Sequence, residues 1–119
     1  KFFTSINTFI MPGISRNRID LARTGHACTT AIGCIATART VFANARTVLR
    51  PGDRLLPHTI LRRCGPTFCC VGHPAKVKRG SPTVFAENKP VARIGDSADR
   101  GRMIQGSRNV FANGGGGRL

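Results

Sequence analysis

The chain has 119 residues, enough for one domain, and a chain of this size buries only about 60 to 70 % of the surface its unfolded form exposes. With no Trp, no Tyr and seven Phe there are few large aromatic contributions to set against about 1 to 2 kcal/mol of backbone entropy per residue, so a core built on apolar burial alone is thin. Nineteen Lys and Arg against five Asp and Glu give a net charge of +14, which favours partners dense in phosphate or carboxylate and leaves too few acids for paired-carboxylate hydrolysis.

Residues 1–10 carry one positive charge and an apolar stretch broken by Thr4, Ser5, Asn7 and Thr8, a poor signal peptide and too short to span a bilayer. No other segment reads as a membrane helix. Met11-Pro12-Gly13 resembles a natural start, so residues 1–10 are expected to be an upstream extension, a processing remnant or an added strand, with the domain proper over 11–113. The apolar stretch 31–36 holds Cys34, which is expected to be packed inside.

Two fourteen-residue stretches then align without gaps: 40–53 reads TVFANARTVLRPGD and 83–96 reads TVFAENKPVARIGD, identical at eight positions. A shortened third copy, NVFAN at 109–113, runs into glycines before any Arg-x-Gly-Asp is reached. The second and third copies are led in by Gly80-Ser81 and Gly106-Ser107, the first by Thr37-Ala38. Each copy predicts a hairpin: β-favouring Val-Phe, a polar tip at Asn44-Ala45-Arg46 or Glu87-Asn88-Lys89-Pro90, and a return strand with Val48 or Val91. The closing Gly52-Asp53 and Gly95-Asp96 predict sharp exits, with glycine at positive φ and the carboxylate accepting bonds from nearby amides.

Fourteen Gly and seven Pro at short intervals leave no stretch with a 3.6-residue apolar period, so an all-β fold is expected. Two and a half copies of a hairpin too small to bury its own apolar face suggest pseudo-threefold packing about one axis. The basic residues come in short groups such as Arg62-Arg63 and Lys76-Val77-Lys78-Arg79, a solvated surface rather than a nucleic-acid arm. Residues 114–119, beginning with four glycines, read as a flexible tail and not a phosphate loop, since no helix follows.

Five Cys and three His lie outside the repeated hairpins, and an odd cysteine count fits full disulfide pairing poorly. His26, His58 and His73 together with one Cys would close a tetrahedral shell, which points to a structural zinc ion rather than a catalytic one with a water position. Cys70 has the two-residue spacing to His73, and Cys69, Cys64 and Cys28 are also available as the fourth ligand. A Cys70–His73 nucleophile pair has no orienting third group nearby in sequence, so an enzyme is not expected.

These residues together resemble the PAAR-repeat family of spike-tip proteins. The resemblance rests on Gly80-Ser81-Pro82-Thr83-Val84-Phe85 with Pro90-Val91-Ala92-Arg93-Ile94-Gly95-Asp96, on Met11-Pro12-Gly13-Ile14-Ser15-Arg16, and on Gly106-Ser107-Arg108-Asn109-Val110-Phe111-Ala112. It implies a small conical PAAR-type fold of short hairpins seated on a trimeric β-helical spike protein, one copy per trimer, with one structural Zn2+ near the point. Carried over by position, the ligands implied are His26, His58, Cys70 and His73. The role implied is a membrane-piercing tip in the tail baseplate of a contractile phage virion, in transient contact with a bacterial outer membrane, with no nucleic acid and no small-molecule substrate. The absence of a toxin-like extension favours the phage over the alternative, a type VI secretion spike tip. A basic zinc-containing nucleic-acid binder is the competing class, supported by charge alone.

Overall fold

The structure, a computed structural model, describes residues 12–112. Both the expected extension 1–10 and the tail 114–119 lie outside the described residues. Among the described residues there are eleven strands and no helix, hence none long and apolar enough to cross a membrane. The strands are β1 (Leu21–Arg23), β2 (Ala31–Ile35), β3 (Phe42–Ala43), β4 (Arg46–Thr47), β5 (Arg54–Leu55) and β6 (His58–Cys64), then β7 (Thr67–His73), β8 (Phe85–Ala86), β9 (Lys89–Pro90), β10 (Ser97–Ala98) and β11 (Gly101–Met103).

The sequence repeats form the hairpins β3–β4 and β8–β9. Their loops are tighter than the polar tips suggested: only Asn44–Ala45 and Glu87–Asn88 intervene, with φ of 52°, 67°, 50° and 71°. Two consecutive left-handed residues match the twist of the flanking strands, which is why such short strands can still pair. Alternation then turns Ala43 and Ala86 inward and leaves Phe42 and Phe85 exposed.

The third copy is not truncated in space, contrary to its appearance in the sequence. Gly13 bridges Phe111, and residues 13–20 supply the return strand and exit that the C-terminal copy lacks. Three equivalent hydrogen bonds close the three units: Val48 N to Val41 O at 3.2 Å, Val91 N to Val84 O at 3.0 Å and Ile14 N to Val110 O at 3.0 Å. One residue further on, the units bind each other in a ring, with Ser15 N donating to Ala92 O, Ala92 N to Leu49 O and Leu49 N to Ser15 O, at 2.9, 2.7 and 3.0 Å.

The exits repeat as well. Asp53 Oδ2 accepts from Arg50 N at 2.9 Å, Asp96 Oδ2 from Arg93 N at 2.8 Å and Asp20 Oδ2 from Arg16 N at 2.8 Å. The left-handed residue that the bend requires is Gly52 or Gly95, both at φ 95°, and Arg18 at φ 64° in the third unit. Arg93 and Asp96 form a fully buried ion pair, with Nε donating at 3.0 Å and Nη2 at 3.1 Å to the two carboxylate oxygens.

Two apolar layers lie on either side of the ring. Ala43, Ala86 and Ala112 pack with Ile14, Val48 and Val91 on the hairpin side. Leu49 and Ala92 face the other layer, with Ala22, Cys34, Leu55, Val77, Ala98 and Met103. This second layer is covered by an antiparallel sheet in the order β10-β11-β1-β2-β5, with Ala22 opposite both Met103 and Ile32. Cys34 is buried in it with its thiol free, as its apolar neighbours implied. From Leu55 the chain leaves this layer and enters β6, which pairs only with β7 around the loop Gly65–Pro66.

Candidate metal centre

Two strand ends and two loops meet beyond the second layer. His58 opens β6 and His73 closes β7, and the two stand directly opposite each other, so both project from one face at the root of the ribbon. They lie outside the repeated hairpins, as expected, but within strands. His26 comes from the loop between β1 and β2, where Thr24 Oγ1 accepts a bond from His26 N at 3.1 Å and also bonds Thr29 O. Gly25, at φ 81°, lets this loop lie against the backbone of Arg100, which a Cβ would meet at 2.8 Å.

The group they surround is Asp99. It sits in the two-residue loop between β10 and β11 at φ 53°, anchored by Asp99 N to Lys76 O at 3.0 Å. Its Oδ1 is 3.1 Å from His26 Nε2 and 3.1 Å from His73 Nε2, and its Oδ2 is 3.0 Å from His58 Nε2. Burial pushes the Asp99 carboxyl up, but the hydrogen bonds from His73, His26 and His58 and the charge of His26 outweigh it, so its pKa lies below the ordinary value.

The tautomer of His58 decides what this arrangement needs. Its Nδ1 donates to Leu56 O at 2.9 Å, and its side chain is fully buried. A neutral ring with Nδ1 protonated presents only a lone pair at Nε2, and that lone pair faces a carboxylate oxygen. A cation belongs between them: a second proton on the ring, or a metal ion. Nδ1 fastened to a backbone carbonyl is also the arrangement that orients a metal-bound imidazole. The ligand atoms of His26, His73 and Asp99 lie within 4.8 Å of one another, and imidazole with carboxylate is a donor set that suits zinc and other borderline divalent ions.

The three histidines expected to act together therefore converge, whereas Cys70 does not join them. Its sulfur is bonded to Cys28, with a Cα–Cα separation of 5.9 Å, and a disulfide sulfur offers no thiolate to a metal. Cys64 and Cys69, also available on spacing, are bonded to each other. Four of the five cysteines pair and the odd one is the core residue Cys34, so an odd count did not preclude disulfides here. Asp99 was missed because it reads as one more turn carboxylate. The signal for it was the surplus: Asp53 and Asp96 close the repeats, while Asp99 closes none. Models of known protein families and curated proteins offer no match to this sequence.

Proposed function

We propose that the chain is a structural cap, of the kind the PAAR-repeat resemblance implies, which seats on the end of a trimeric β-helical spike and sharpens it in a contractile phage tail. The observation that carries this reading is the set Phe42, Phe85 and Phe111. They occupy the same place in three units joined by a closed hydrogen-bond ring, and they are 56, 57 and 43 % exposed. A pseudo-threefold surface with one unpartnered aromatic per unit suits a partner with three equal sites, because each ring gains a pocket and none is left in water.

The His26, His58, His73 and Asp99 cluster fits the same role as a structural zinc site. Bound there, the ion would supply a closed electrostatic link between the 24–29 loop, the root of the ribbon and the β10–β11 turn, with no substrate position. Structural zinc contributes on the order of 10 kcal/mol in small domains, large against so thin a core. No catalytic role is assigned. The test is to mix the protein with a trimeric spike protein and measure the mass of the product. One copy per trimer, lost in the Phe42→Ser, Phe85→Ser, Phe111→Ser variant, is expected; a cap that binds no spike trimer, phage or type VI, sinks the reading.

A further inference from the structure

The β6–β7 ribbon pairs with no other strand among the described residues, and residues 58–73 contain no Asp or Glu. Side chains directly across an antiparallel pair share a face. By that register Thr59, Leu61, Arg63, Phe68 and Cys70 lie on one face, and Arg62 lies on the other. The root of the first face is tied down by the Cys28–Cys70 disulfide and by Thr59 Oγ1 against Thr29 Oγ1 at 3.2 Å. Beyond the root Leu61 and Phe68 are 51 and 60 % exposed, and the Arg63 guanidinium stands 5.9 Å from the Phe68 ring centroid. The Cys64–Cys69 disulfide staples the two strands just short of the Gly65–Pro66 loop.

At the ribbon's foot a cleft of about 470 Å³ is lined by Arg54, Lys76 and Lys78 and by no acid. Among the described residues no Asp or Glu forms an ion pair with these cations. Asp20, Asp53 and Asp96 bond the amides of their own turns, Glu87 bonds Thr40, and Asp99 is held by the histidines.

We propose that the ribbon and its basic foot form a binding surface for an anionic lipid membrane. Leu61 and Phe68 enter the boundary between headgroups and acyl chains, while Arg62, Arg63 and the Arg54–Lys76–Lys78 cleft take headgroup phosphates. Two chemistries, apolar side chains and unneutralised cations, select this occupant. A nucleic acid duplex offers phosphates but no apolar layer for Leu61 and Phe68, and an apolar protein groove leaves the cations unpaired. The proposal extends the cap reading to residues other than Phe42, Phe85 and Phe111, so the two fail separately.

Vesicle co-sedimentation tests it, with phosphatidylcholine alone against phosphatidylcholine mixed with phosphatidylglycerol. Binding to the anionic vesicles only, weakened by salt, is expected. Arg62→Gln and Arg63→Gln should each lower partitioning about fivefold, and Leu61→Ser with Phe68→Ser by about tenfold or more. The Phe42→Ser, Phe85→Ser, Phe111→Ser variant should bind vesicles unchanged. Because the chain has no Trp, Phe68→Trp gives a second readout: a blue shift in emission on anionic vesicles. Equal binding to neutral vesicles, ribbon variants that bind as well as the parent, an unshifted Trp, or displacement of the vesicles by short duplex DNA at equal phosphate would each overturn it.

Discussion

Glu87 reaches from the second hairpin to the first and accepts, on Oε2, the amide of Thr40 at 2.7 Å and its hydroxyl at 2.6 Å, together with the amide of Arg39 at 2.8 Å. In the other units a serine does this work from within. Ser81 Oγ accepts from Thr83 N and Val84 N at 3.2 and 3.0 Å, and Ser107 Oγ from Asn109 N and Val110 N at 3.2 and 2.9 Å. The first unit has Ala38 at that place, so its turn amides are satisfied by a neighbour's carboxylate. Asn44, the counterpart of Glu87 in the first hairpin, likewise reaches the next unit, bonding Ser107 Oγ and Asn109 Oδ1 at 2.5 and 2.8 Å.

Glu87→Ala should therefore lower the melting temperature, and adding Ala38→Ser should restore part of the loss by returning the local acceptor. A rescue no larger in Glu87→Ala than in the parent would show that the two acceptors do not substitute for one another.

The same carboxyl gives a pH signature. The Thr40 hydroxyl, then the Arg39 and Thr40 amides, hold Glu87 down to about 2. A depressed folded pKa contributes stability that is fully present above the ordinary value of about 4.5 and fades as pH falls through about 2. Acid unfolding of the parent should lose this contribution in that window, and Glu87→Gln should flatten the curve there.

Ala45 sits at φ 67° in a turn where a β-carbon crowds the following carbonyl. Ala45→Gly should stabilise the fold by about 1 kcal/mol, producing the Asn-Gly pair that such hairpin loops favour. Denaturant unfolding reads this directly. A destabilised variant would mean that the extra unfolded-state entropy of glycine exceeds the relief.

For the proposed zinc site, metal-affinity measurements separate the two candidate fourth ligands. Asp99→Asn should lower metal affinity about a hundredfold or more, as should His58→Ala, while Cys70→Ser with Cys28→Ser should keep the metal. The opposite result would return Cys70 to the site.

Cys34 should resist alkylation in the native protein and react once the chain is unfolded, because burial and then the charge of Asp53 push its thiol up to about 12. Native-state labelling by iodoacetamide at pH 8 would contradict its placement in the core.

The sequence by itself determined the strand and turn units. Val-Phe-Ala followed by a polar tip and Arg-x-Gly-Asp carries its own instructions over a dozen residues, through β propensity, left-handed turn positions and a carboxylate that folds back on its own amides. It also singled out the three histidines, since His is rare here and each lies outside the repeated hairpins. Only the tertiary structure decided how the set closes. Gly13 meets Phe111 and Asp99 meets His26, His58 and His73 across long separations, and contacts of that kind leave no local period or spacing to read. The cysteines show the same divide: a Cys-x-x-His spacing names Cys70 as a ligand, but its partner is set by which sulfur lies within bonding reach in space, and that sulfur belongs to Cys28.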